Sequence, residues 1–90
     1  MTVKVYVPVL AAFTSDGMLI PRRIRWEDGA IYTIDKVVDC RPAAALKAGG
    51  QGDRYTIQID GHQSYLFFER NVSLIGVNLG RWFVERRGQG

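Results

Sequence analysis

Apolar and polar residues alternate along much of this chain. In VKVYV, residues 3–7, Val3, Val5 and Val7 fall on one side and Lys4 and Tyr6 on the other, the period of two that marks a half-buried strand. In IPRRIRWE, residues 20–27, Ile20, Ile24 and Trp26 share a face while Arg23, Arg25 and Glu27 take the solvent side. In YTIDKVVD, residues 32–39, Tyr32 and Ile34 alternate, but Val37 and Val38 stand together. A bulge near Asp35 and Lys36 would bring Val37 back into phase. RYTIQID, residues 54–60, points Tyr55, Ile57 and Ile59 inward and Arg54, Thr56, Gln58 and Asp60 outward. The pattern predicts one core containing Tyr32, Ile34, Tyr55, Ile57, Ile59 and Phe67.

The last third differs. SYLFFE, residues 64–69, sets Tyr65 and Phe67 against Leu66 and Phe68, and RWFVE, residues 81–85, sets Trp82 and Val84 against Phe83. A strand apolar on both faces is either central in the fold or covers something with its outer face. Three Asp-Gly pairs, Asp16-Gly17, Asp28-Gly29 and Asp60-Gly61, separate apolar stretches. They predict hairpin turns, because Gly accepts positive φ and Asp tolerates it. The closing RRGQG, residues 86–90, reads as a frayed tail.

No long segment has a 3.6-residue period. One short stretch, RPAAALKAGG at 41–50, has Pro42 suited to a first helical position, Ala43 to Lys47 as good helix formers, and Gly49 as a cap. It predicts a helical turn near 42–48 followed by a mobile glycine loop to Gly52. The expected fold is all-β: a strongly bent SH3-like barrel, or a β-roll, of five to six antiparallel strands.

Length and composition narrow the class. Ninety residues, 47% hydrophobic and 23% charged, make a single domain over 1–90. The net charge of +3, mostly from arginine, permits a polyanionic partner without demanding one. The single cysteine, Cys40, excludes an internal disulfide and reads as a half-buried small residue. Lys4 interrupts the first apolar stretch and no apolar run approaches the length of a membrane span. A cytoplasmic protein with no membrane partner is expected.

Catalysis finds no support. His62, the one histidine, follows a predicted turn and reads as solvated, and no cysteine cluster or HExxH spacing accompanies it. The carboxylates are scattered, and no nucleophile elbow is present. No enzyme activity, cofactor or metal is expected. GGQG, residues 49–52, fails as a phosphate-cradling loop because Lys47 precedes the glycines instead of following them. Two groups remain as candidate binding residues. The first is an expected anion nest of Gly49, Gly50 and Gly52, ringed by Arg41, Lys47 and Arg54. The second is RRIR, with Arg22, Arg23 and Arg25 exposed beside aromatic residues outside the core, such as Tyr6, Phe68 or Trp82. Such pairings hold single-stranded nucleic acid, cations following the backbone and rings stacking on bases.

The order PRRIRWEDGAIYTIDKVVD (21–39), YTIQIDG (55–61) and RWFVE (81–85) resembles small bacterial β-barrel proteins associated with genes for lesion-bypass DNA polymerases. The resemblance spans Val3 to Glu85 and rests on Trp26 before a turn glycine, Tyr32 and Ile34 on the next strand, and Trp82-Phe83. It implies a barrel and an accessory role in DNA repair, and it carries over no catalytic residue. The expected function is a non-enzymatic binding module for single-stranded nucleic acid or for a nucleic-acid enzyme. The alternative is a protein–protein or self-association module, a homodimer formed through the two-faced strands at 64–69 and 81–85.

Overall fold

A computed structural model describes residues 2–43, 52–70 and 79–87. The described residues form eight strands and no helix: β1 (Thr2–Tyr6), β2 (Val9–Phe13), β3 (Leu19–Arg25), β4 (Ile31–Thr33), β5 (Lys36–Pro42), β6 (Gly52–Ile59), β7 (His62–Arg70) and β8 (Gly80–Arg87). All pairings are antiparallel. A five-stranded sheet has the order β1-β8-β7-β6-β5, and a three-stranded sheet has the order β2-β3-β4. The three Asp-Gly pairs join β2 to β3, β3 to β4 and β6 to β7. At the last turn both Asp60 (φ 50°) and Gly61 (φ 79°) are left-handed, the mirror-image turn that matches strand twist.

Eight strands replace the five or six expected, partly because the chain bends from one sheet to the other inside longer extended runs. At Val7-Pro8, the Val7 amide donates to the Trp82 carbonyl (3.1 Å) in the larger sheet, and the Arg25 amide donates to the Pro8 carbonyl (3.0 Å) in the smaller. At Ile34-Asp35, the Ile34 amide donates to Arg22 (2.9 Å) and the Asp35 amide to Gln58 (2.8 Å). The run YTIDKVVD is therefore divided between β4 and β5.

The inner faces of the two sheets enclose Val7, Ile24, Ile34, Tyr55, Ile57, Leu66, Phe68 and Val84, with Val9, Leu19, Trp26 and Trp82 packed around them. Two bulges change the phase that alternation predicts. In β3, Leu10 faces Arg23 and Ala11 faces Pro21, so Arg22 is the extra residue, and Leu19 rather than Ile20 packs on the core. In β5, Val37 faces Ile57 and Asp39 faces Thr56. That bulge lies at Val38, further along than the Asp35-Lys36 position expected. Ile34, Tyr55 and Ile57 are buried as expected, and Ile59 is half-buried. Tyr32 is not buried. It is 40% exposed, because the short strand β4 leaves its ring at the rim of a cleft.

Phe67 is buried, but on the opposite face from the main core. There it stacks on Phe83 with ring centroids 4.9 Å apart and planes 5° from parallel, and Ala43 packs against the pair. Phe83 is 0% exposed. Phe67 and Phe83 are thus shielded within one chain, while Tyr6 and Tyr65 on the same face stay exposed.

Three further expectations fail near the strand ends. Pro42 does not open a helix. It closes β5 opposite Asp53, and the Ala43 amide extends the hairpin by donating to Gly52 (2.9 Å). Because Ala43 points its amide at β6, Pro42 points the other way, to the free edge where a missing N–H removes no ladder bond. Gly52 is a buried strand residue rather than part of a mobile loop, and Arg86 and Arg87 belong to β8 rather than a frayed tail. The rest of the predicted helical turn, residues 44–48, lies outside the described residues.

Candidate binding surfaces

Strand register decides which side chains share the outer face of the five-stranded sheet. Tyr6 and Phe67 both face Phe83, Lys4 faces Glu85, Glu69 faces Arg81, Arg54 faces Phe67, Thr56 faces Tyr65, and Arg41 faces Arg54. This places Lys4, Arg41, Arg54 and Arg81 on the same face as Tyr6, Tyr65, Phe67 and Phe83. The cations lie on the rings: Arg54 is 4.6 Å from the Tyr65 centroid, Arg81 4.2 Å from Tyr6, and Lys4 4.7 Å from Phe83. Tyr65 stays 52% exposed and Tyr6 43%, so each ring keeps open surface beside its cation.

Glu69 organises one end of this face. It accepts from Lys4 Nζ (2.9 Å), Arg81 Nη2 (2.8 Å) and the Tyr6 hydroxyl (3.3 Å). The Lys4 hydrogen bond, followed by that of Arg81, holds its carboxyl below the usual value despite the opposing effect of burial. Arg41 pairs with Asp39 (2.7 Å). Arg54 Nε is buried with no hydrogen-bond partner.

The expected binding residues do not converge. Arg23 and Arg25 face outward from the smaller sheet, beside exposed Leu10 and Ile31. Arg22 is exposed at its bulge. The outer faces of the two sheets point away from each other, so RRIR lies on the opposite side of the molecule from Arg41 and Arg54. Lys47, Gly49 and Gly50 lie outside the described residues. Of the aromatic residues expected beside the arginines, Tyr6 is exposed, whereas Phe68 is buried and Trp82 packs on the core. Lys4, Arg81, Tyr65 and Glu69 were not singled out from sequence as binding residues. Their shared face depends on pairings between strands far apart in the chain.

A second concavity opens between β7 and β8. The ladder joining them runs from Arg70–Gly80 to Phe67–Phe83 and ends there. Beyond it β7 stays paired with β6 as far as His62, and β8 with β1 as far as Arg87. The parted strands leave a cleft of about 740 Å³. Ile24, Trp26, Ile57, Ile59 and Val84 form its floor, with Tyr32, Tyr65, Asp60, His62 and Glu85 among its remaining walls. It takes residues from both faces of the sheet, so it passes through the sheet plane to the core. Arg86 reaches across to the smaller sheet, donating to Glu27 (2.6 Å).

Among the described residues, no group of three or more His, Cys, Asp and Glu could hold a metal, and no helix is long and apolar enough to cross a membrane. The Cys40 thiol is pushed above its usual value, first by partial burial and then by the Asp53 carboxylate, opposite to the shift that activates a thiol nucleophile. Comparison with known proteins finds no matching family model, curated protein or solved structure.

Proposed function

We propose that this protein is a non-enzymatic binding module that holds single-stranded nucleic acid on the outer face of its five-stranded sheet. The observation that carries the reading is the pair of guanidinium–tyrosine stacks, Arg54 on Tyr65 and Arg81 on Tyr6, with Lys4 and Arg41 on the same face. Exposed ring surface accepts an unpaired base, and the adjoining cation takes its phosphate. We also read the two sheets as one strongly bent barrel of the SH3-like kind. The corners at Val7-Pro8 and Ile34-Asp35 support this, since each bent run hydrogen-bonds to both sheets. The ligand class fits the DNA-repair setting that the sequence resemblance implies.

Binding should be weak, nearly indifferent to sequence and strongly weakened by salt. Fluorescence anisotropy with a labelled oligothymidine at low and high salt tests it. Replacing Arg54 and Arg81 together by Ala should weaken binding at least several-fold at low salt and flatten its salt dependence, since each change removes a cation that contacts phosphate. Absence of binding at low salt, or equal binding by the double variant, overturns the reading. A different observation, the apolar cleft between β7 and β8, favours the alternative of a protein-interaction module.

A further inference from the structure

We propose that the fork between β7 and β8 receives an extended peptide strand bearing alternate apolar and basic side chains. This goes beyond the nucleic-acid reading: the fork adjoins that face and shares Tyr65 and Phe67 with it, but takes a different ligand with the opposite charge preference.

The direction of the backbone groups carries the inference. Within a strand, the N–H and C=O of successive residues point alternately to the two neighbours. The Trp82 carbonyl accepts from Val7, so Trp82, Val84 and Arg86 point toward β1, while Phe83, Glu85 and Arg87 point toward β7. The Gln58 carbonyl accepts from Asp35 and the Gly52 carbonyl from Ala43. The even-numbered residues of β6 therefore serve β5, and its odd-numbered residues serve β7. From the register Ile57–Ser64 and Tyr55–Leu66, Ser64 and Leu66 point toward β6, while Gln63, Tyr65 and Phe67 point toward β8. Both assignments meet at Phe67–Phe83, the last rung of the ladder. Past that rung, Gln63 and Tyr65 on one lip, and Glu85 and Arg87 on the other, aim their backbone groups into the gap. Two facing edges without a ladder partner among the described residues form a template for a strand.

On the floor of the gap Trp26 and Ile59 keep partial exposure above the buried Ile24, Ile57 and Val84, and a strand would cover them with every second side chain. Its charge selects among strands. The net charge of the chain is +3, yet the cleft lining contains the carboxylates Asp60 and Glu85 and neither Lys nor Arg. Neither carboxylate is in an ion pair with a described residue. An inserted strand that places apolar groups on the floor carries its basic groups past these two residues, and an acidic strand or a phosphate backbone is repelled.

The test uses the whole chain and three labelled synthetic peptides of roughly eight residues, a typical strand length. One alternates Lys and Val, one alternates Glu and Val, and one is the Lys/Val peptide with Pro at alternate positions. The Lys/Val peptide should bind and the other two should not. Amide hydrogen exchange should slow selectively at Gln63, Tyr65, Glu85 and Arg87. Changing Asp60→Asn and Glu85→Gln together should lower affinity roughly three- to tenfold. The Arg54/Arg81 double-alanine variant should bind the peptide as the parent does, so failure of the nucleic-acid reading leaves this result untouched. No binding, equal binding of acidic and basic peptides, or binding without protection at those four amides overturns the proposal. So does protection that rises with protein concentration alone, which would assign the fork to a second copy of this chain.

Discussion

The Tyr55 hydroxyl on β6 donates a 2.6 Å hydrogen bond to the Leu19 carbonyl on β3, so a single side chain spans the core and ties the two sheets together. Tyr55→Phe keeps the ring and leaves the Leu19 carbonyl without this donor, which should cost about 1 kcal/mol in urea unfolding at neutral pH.

The same phenol gives a pH signature. Burial, first among its causes, holds its ionisation well above the ordinary value of 10.0. The folded state thus retains a proton that the unfolded chain loses. Its contribution to stability is complete below about pH 10 and falls as pH rises further. Urea midpoints measured across the alkaline range should fall less steeply for Tyr55→Phe than for the parent.

Glu69 behaves in the opposite sense. Its carboxyl is held below the ordinary value of 4.5, chiefly by Lys4. The stabilisation is present above that value and disappears as pH falls through the lower folded one. Glu69→Gln should flatten the acid limb of the stability profile while costing no more than about 1 kcal/mol per lost pair at neutral pH. It also frees Lys4 and Arg81, so the variant should bind oligothymidine more tightly at low salt. Unchanged affinity would argue that this end of the face makes no contact with the ligand.

Gly80 opens β8 at φ +154°. A Cβ placed there would meet the Glu69 carbonyl oxygen at 2.3 Å and the Phe68 ring at 2.7 Å. Gly80→Ala should therefore destabilise by on the order of 1–3 kcal/mol, seen as a lower thermal midpoint. An unchanged midpoint would mean that the backbone here moves without cost.

Cys40 is exposed, yet its thiol is held above its usual ionisation value. Alkylation by iodoacetamide near neutral pH should be slower than that of a cysteine in a short unstructured peptide, because the thiolate is the reacting form. The gap should close as pH rises. Equal rates at neutral pH would contradict the shift.

What could be read from sequence was what neighbouring residues decide. The Asp-Gly turns and the inward Tyr55 and Ile57 needed only local chemistry and a period of two. β2, with the sequence VLAAF, has no polar alternation, and its paired alanines have weak strand preference. The bulges at Arg22 and Val38 are set by partners on other strands, so strict alternation misplaced Ile20 and the bulge of β5. The candidate face was half legible: Arg41 and Arg54 stood out as cations, and the parity of Lys4 with Tyr6 and of Tyr65 with Phe67 was already visible. What joins them is the pairing of β1 with β8 and of β8 with β7, and no local signal specifies either.

That first pairing also sets an order of assembly. Among the described strands of its sheet β1 pairs with β8 alone, so β1 waits for a strand made about eighty residues after it. During synthesis the hairpins β2–β3, β3–β4 and β6–β7 can close as their turns emerge, but Val5 and Val7 have no lasting shelter until Val84 arrives beside them. Closing the sheet across nearly the whole chain length is an entropically slow step. The partly assembled chain, with β7 still lacking its neighbour, is the species most exposed to capture by other chains.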